Sequence, residues 1–215
     1  LYRGATAIIA NSCHTKQLLV DIGVRSERIH VIHPGVDAAA FHVDDQARFS
    51  IRQRHNLGNS VVLLTVGRLQ RRKGQDMVIR ALPLIKDHMP NVFYLIVGSG
   101  EEEKYLRDLA ATLGVAENVV FVGSIGDDER AAYYAACDVF VMPNREIDAD
   151  IEGFGIVFLE AGAAGKPVIG GLSGGTADAI QDGITGLRVD GESASAIATA
   201  VIDLSIDTSR AQSMG

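Results

Sequence analysis

Tryptophan is absent from this chain of 215 residues, cysteine occurs only twice, and proline only five times. Cys13 and Cys137 lie far apart, at neither CxxC nor metal-ligand spacing, so a disulfide framework is excluded and a reducing compartment is expected. No apolar run approaches the ~18 residues that cross a bilayer as a helix. Basic excess is lacking too. The net charge is -7 and the pI about 5.3, which gives no electrostatic reason to expect nucleic acid as a partner. An anion bound here must therefore be held by a local site. What is present is ordinary for a globular protein: 47% hydrophobic and 22% charged residues, in a length that suits one large or two small domains. The start at Leu1 has no signal-peptide layout of charge, apolar run and cleavage site. Residues 5–10 read as a strand entered mid-fold, and the last five residues stop inside what reads as a helical hairpin. A piece of a longer protein is expected.

From residue 60 onward an apolar run, a glycine-bearing loop and a helix-period stretch alternate about six times. Strands are predicted over 61–66, 92–97, 119–122, 139–142, 168–170 and 187–189. They are short, rich in Val and Ile, and apolar throughout rather than alternating, as parallel strands covered on both faces are. Helices are predicted over 75–87, 101–113, 128–136, 156–165 and 194–204. The alternation indicates an α/β fold, a doubly wound parallel sheet of Rossmann-like type. Ligands of such sheets sit beyond the carboxyl ends of the strands. Arg68, Gly98, Gly123, Asn144 and Gly170 should fall there. Before residue 60 the pattern differs: a strand over 5–10, a helix over 12–22 with Ser12 as N-cap, and a strand over 29–32. His33-Pro34-Gly35-Val36-Asp37 then reads as a turn and as the hinge into a second unit.

Two groups of residues carry chemistry. The first is Gly67-Arg68-Leu69-Gln70-Arg71-Arg72-Lys73-Gly74, a basic loop between strand and helix. Arg68 and Lys73 are expected to hold phosphate, the one as a planar fork and the other as a compact charge. Arg71 and Arg72 are expected to be solvated. The spacing does not fit a Walker loop. The second is Glu152-Gly153-Phe154-Gly155, followed by Glu160, an E-x7-E arrangement. It sets one carboxylate before a glycine-opened helix and another about two turns on, with free backbone N–H groups between them. Such a site suits an anion on the amides and hydroxyls on the carboxylates. Glu160 lies between Leu159 and Ala161 in an apolar helix, which argues against a solvated face.

Three further stretches are weaker. Gly98-Ser99-Gly100 lacks the third glycine of a dinucleotide fingerprint and runs into Glu101-Glu102-Glu103, which repel phosphate; this disfavours an NAD-dependent oxidoreductase. Asp148-Ala149-Asp150 has the D-x-D form of some metal sites. None of the six histidines is spaced to assist it, so no metal is expected, and the two acids either orient the loop before Glu152 or face sugar hydroxyls. Gly170-Gly171-Leu172-Ser173-Gly174-Gly175-Thr176 is a second glycine loop on the same rim, with Thr176 a plausible cap.

Taken in order, V-G-R-L-Q-R-R-K-G-Q-D, L-I-V-G-S-G, V-V-F-V-G-S-I, E-G-F-G-I-V-F-L-E-A-G-A-A-G-K-P-V-I and S-G-G-T-A-D-A-I-Q-D-G-I-T-G-L-R-V resemble the donor-binding domain of family 4 retaining glycosyltransferases, the group 1 glycosyltransferases. The resemblance implies the C-terminal half of a GT-B fold. Residues 1–33 would be the tail of the N-terminal acceptor domain and the hinge. Residues 34–215 would be the C-terminal nucleotide-sugar domain, cut before the final crossover helix. Arg68, Lys73 and Glu152 would be catalytic. Gly153, Phe154 and Gly155 would offer amides to sugar and phosphate, Glu160 would hold the ribose, and Gly67 with Gly123, Ser124 and Ile125 would complete the substrate contacts. No cofactor is implied. The loop over 144–151 is similar to that of bacterial phosphatidylinositol mannosyltransferases and leans the donor towards GDP-mannose. The implied partners are a nucleotide sugar and a lipid or glycan acceptor. The implied location is cytoplasmic, with peripheral contact at the membrane face. A sugar-nucleotide epimerase of the same fold and a non-catalytic nucleotide-sugar module remain as alternatives.

Overall fold

The computed structural model describes residues 2–215. The amino-terminal stretch forms β1 (Ile8–Ala10), α1 (Cys13–Asp21) and β2 (Ile29–Val31), with β1 and β2 paired in parallel as a two-stranded sheet. Ser12 caps α1 by accepting from Thr15 N at 3.0 Å, as its residue type predicts. α2 (Asp45–Arg54) follows the hinge. A six-stranded sheet then holds β3 (Val61–Val66), β4 (Val92–Val97), β5 (Val119–Gly123), β6 (Val139–Met142), β7 (Val168–Gly171) and β8 (Gly186–Val189). The helices between and after the strands are α3 (Gln75–His88), α4 (Glu103–Thr112), α5 (Asp127–Ala136), α6 (Ile156–Ala163), α7 (Thr176–Ala179), α8 (Ala194–Ile206) and α9 (Thr208–Met214).

The strands run in parallel in the order β5-β4-β3-β6-β7-β8. Winding reverses between β3 and β6, the switch point at which doubly wound sheets open a crevice for ligands. Successive side chains of a strand face opposite sides, and both sides are buried. Leu63 packs with Tyr94, Ile96 and Val141 beneath α3 and α8, while Val62 and Leu64 pack with Leu95, Phe140 and Met142 beneath α5 and α6. This double burial is why the strands lack alternation in sequence.

The loops after β3 and β6 meet at the switch point through one glycine. Gly74 has φ +79°, and a Cβ there would lie 2.3 Å from the Pro143 carbonyl oxygen. A side chain would push the Arg71–Lys73 turn away from the β6 loop.

Some expectations need correction. Between the hinge at 33–37 and the first strand of the large sheet no element is expected, yet α2 forms there, capped by Asp44, which accepts from Ala47 N at 2.9 Å. The first strand shortens from 5–10 to Ile8–Ala10. The helix expected from Glu101 begins at Glu103, because Glu101 and Glu102 complete the turn packed on Leu69. Thr176 is the first residue of α7 and does not cap it; Gly175 holds that place, and the hydroxyl serves Asn144 instead.

Candidate donor site

Lys73 and Glu152, 79 residues apart, are joined by an ion pair between Lys73 Nζ and Glu152 Oε2. The same oxygen accepts from Arg72 Nη1 at 2.9 Å. Burial alone would raise the pKa of Glu152, but Lys73 and then Arg72 outweigh it and hold the carboxyl below the usual range. Glu152 is therefore ionised at neutral pH, at the carboxyl end of the sheet. Arg72 is not the solvated charge expected from the sequence. Its side chain is 17% exposed, and its Nε lies 3.0 Å from Asp150 Oδ1 as an ion pair, though the N–H is not aligned for a hydrogen bond. The physical reason is the turn at Arg71–Lys73, which turns Arg71 outward and Arg72 towards the β6 loop.

That loop has its own internal logic. Ile147 and Asp150 exchange backbone hydrogen bonds of 3.1 and 2.8 Å around Asp148 and Ala149, both at positive φ. This is a two-residue hairpin turn. The D-x-D triplet thus serves as a turn, with Asp148 at its exposed tip and Asp150 turned to Arg72. Beneath it, Arg145 makes a bidentate pair with Asp76 at 3.0 and 2.9 Å, both residues buried, while Arg145 N donates to Arg72 O at 2.8 Å. The pair fastens the start of α3 to the β6 loop, and so fixes Lys73 relative to Glu152. Asn144 is fully buried: its Nδ2 donates to Ser173 O at 3.0 Å and its Oδ1 accepts from Gly171 N at 3.0 Å. The second glycine loop is held to the first in this way. Gly175 N donates to Glu152 O at 2.8 Å, and Gly174, at φ +68°, leaves no room for a Cβ, which would lie 2.2 Å from that same oxygen.

α6 opens on Gly155, at φ +90°, without a side-chain cap. Phe158 N donates to Gly155 O at 3.0 Å, and the N–H groups of Ile156 and Val157 have no hydrogen-bond partner among the described residues. Phe154 is buried and sits against the His33 ring at 5.6 Å. Glu160 is 5% exposed; Tyr134 donates to its Oε2 at 2.6 Å, and Arg130 Nη1 lies 3.4 Å from Oε1. Burial first, and then the Glu160 charge, push the Tyr134 hydroxyl well above its ordinary pKa, so it remains a donor.

The fold therefore brings Lys73 to Glu152, with Gly67 beside the lysine stem, where a Cβ would lie 3.8 Å from Lys73 Cε. Arg68 is on the same rim, exposed, with no side-chain partner among the described residues. Glu160 faces α5 and does not touch the basic loop. Gly123 ends β5, two strands from β3, and Ser124 and Ile125 follow it, with Ser124 Oγ 3.0 Å from Ser99 Oγ. Gly98 and Gly100 serve loop packing: Gly98 N donates to Gly123 O at 2.8 Å, and Leu69 N to Ser99 O at 3.1 Å. Sequence reasoning missed Asp76, Arg145 and Tyr134. Their partners lie 26 to 69 residues away, beyond any local pattern.

The helix start at Gly155, the ionised Glu152 and the basic loop thus lie together at the switch point of a doubly wound sheet. The family described as Glycosyl transferases group 1 matches residues 47–215, and Glycosyltransferase Family 4 matches residues 1–40. The chain belongs to the group 1 glycosyltransferase family. It is 46% identical over 192 residues to a GDP-mannose-dependent alpha-(1-6)-phosphatidylinositol monomannoside mannosyltransferase of Mycolicibacterium smegmatis, covering 88% of this chain and 50% of that protein. It is 36% identical to a D-inositol 3-phosphate glycosyltransferase of Acidothermus cellulolyticus, covering 92% of this chain and 45% of that one. The fold matches the crystal structure of Anabaena HepE in complex with UDP-glucose, with TM-score 0.91 and 27% identity over 99% of this chain and 58% of the other. The chain spans about half the length of the curated relatives it matches.

Proposed function

We propose that this chain is the donor-binding part of a retaining hexosyltransferase that moves mannose from GDP-mannose to an inositol-phosphate lipid or a glycan. The observation that carries the reading is the Lys73–Glu152–Arg72 cluster at the switch point, in a chain 46% identical to a GDP-mannose-dependent enzyme. Both curated relatives described above carry an inositol phosphate in the name of what they act on, which favours that acceptor class. As the bond from the sugar to the diphosphate breaks, negative charge grows on the leaving phosphate. Arg68 is free to meet it, Lys73 turns to it from Glu152, and the α6 N–H groups face it. Each such donor contributes about 3 kcal/mol when positioned in advance. Glu152 orients the sugar, Gly153, Phe154 and Gly155 approach it by their backbone, and Glu160 takes the ribose through Oε1. The loop over 123–125 takes the base. No metal is required, because the cations of the chain neutralise the diphosphate.

The acceptor hydroxyl belongs to the rest of the transferase, so the chain alone binds donor weakly and does not turn over. No helix among the described residues is long and apolar enough to cross a membrane. We place the protein in the cytoplasm, with lipid acceptor reached at the membrane face. Calorimetry of the folded chain with GDP, UDP and ADP tests the reading. GDP should bind most tightly, and Arg68→Ala should weaken it without altering the melting temperature. A folded sample that binds none of the three would overturn the proposal.

A further inference from the structure

We propose that Cys13, His33 and Asp178 form a binding site for a thiophilic divalent cation of the zinc class, at the junction of the amino-terminal stretch and the six-stranded unit. The Cys13 thiol, a His33 ring nitrogen and an Asp178 carboxylate oxygen lie within 4.8 Å of one another. His33 Nε2 is 3.6 Å from Asp178 Oδ2. Ligands about 2.0–2.3 Å from one zinc ion stand at separations that small side-chain rotations reach from here. Each residue comes from a different element. Cys13 is the first residue of α1, His33 follows β2 at the hinge, and Asp178 is in α7 beyond the second glycine loop.

The donor set selects the metal. One thiolate, one imidazole and one carboxylate suit zinc or cobalt, whereas magnesium and calcium need oxygen ligands. Three protein ligands leave a fourth position for water. The backbone prepares the group: Cys13 N donates to Asp178 Oδ2, so the carboxylate is already held at the thiol-bearing residue. Cys13 and His33 are exposed, which gives an ion a path of entry. The other thiol cannot compete, since Cys137 is fully buried and burial pushes it up to about 12. Sequence spacing gave no hint, because 20 residues separate Cys13 from His33 and 165 separate it from Asp178. On binding, the Cys13 thiol gives its proton to solvent as the thiolate takes the ion. The ion would tie the hinge to α7 and, through His33 against Phe154, to the loop of Glu152.

This inference is independent of the transferase reading, and the test uses metal alone. The chain is titrated with Zn²⁺ against a chromophoric chelator, and with Co²⁺ followed by absorbance. One ion per chain should bind, with a thiolate-to-cobalt charge-transfer band and a higher melting temperature. Cys13→Ser should abolish the band, and His33→Gln and Asp178→Asn should each weaken Zn²⁺ by more than about tenfold. Mg²⁺ should not compete. Circular dichroism checks the fold of each variant. Zn²⁺ affinity unchanged in His33→Gln would reduce the site to an exposed thiol and overturn the proposal. Binding that survives Cys13→Ser, or no binding at all, would overturn it equally.

Discussion

Replacing Lys73 by methionine keeps much of the stem volume and removes the charge that holds Glu152. Lys73 and Glu152 are each 12% exposed at the side chain, so solvent does little to replace the lost partner. A hydrogen bond to a charged group contributes about 1.5–3 kcal/mol, and breaking a buried pair costs about 3–5 kcal/mol. Arg72 remains at 2.9 Å from the same oxygen, which places the expected loss near the lower figures, about 2 kcal/mol. For a chain of this size that is a fall in melting temperature of about 4–8 °C. The sign with pH follows from Glu152. Its folded pKa lies below the unfolded value, so its contribution is fully present above the unfolded carboxylate pKa and is lost as pH falls through the folded one. Without Lys73 the burial of Glu152 has less opposing it, and its pKa moves upward. Parent and variant should therefore differ most at neutral pH and converge below the ordinary carboxylate range. Thermal melts followed by circular dichroism across that range check this. A difference that is the same at both ends, or a variant as stable as the parent at neutral pH, would refute the reasoning.

Three other outcomes are expected. Tyr134→Phe strips the 2.6 Å donor from buried Glu160 and should cost about 1–3 kcal/mol, measured by denaturant unfolding. Asp76→Asn and Arg145→Met should each destabilise by about 3–5 kcal/mol, and a double-mutant cycle should show strong coupling, since either change alone leaves a buried charge unpaired. Gly174→Ala should lower stability and weaken GDP binding together, as a Cβ at φ +68° meets the Glu152 carbonyl oxygen; unchanged melting would contradict the packing described.

Much of the sheet was legible in the sequence for a physical reason. β3, β4 and β6 are buried on both faces, so they read as nearly continuous apolar runs in which Thr65 and Tyr94 carry the only hydroxyls, and their bounds of 61–66, 92–97 and 139–142 hold without change. α2 was not legible. Its sequence DQARFSIRQR carries only two large apolar residues, one of which, Phe49, is 57% exposed. It is anchored by a polar residue, Arg52, which reaches Asp138 at 2.7 Å and Ala136 O at 3.0 Å. The burial of Glu160 could be read from its apolar neighbours, but its partner Tyr134 could not. Arg71 and Arg72 are identical in type and adjacent. Only the turn between β3 and α3 decides which of them reaches Glu152, and composition does not encode that.

The central claim is that a nucleoside diphosphate lies at the carboxyl ends of β3 and β6. A rival location exists: a cleft of about 590 Å³ lies at the amino ends of the strands, lined by Ser60, Val61 and Pro167 with Arg48 and Lys166 as cations. A crystal structure of the chain grown with GDP discriminates between them. The diphosphate should lie within hydrogen-bonding distance of Arg68, Lys73 and the N–H groups that open α6. Phosphates resting between Arg48 and Lys166 would contradict it.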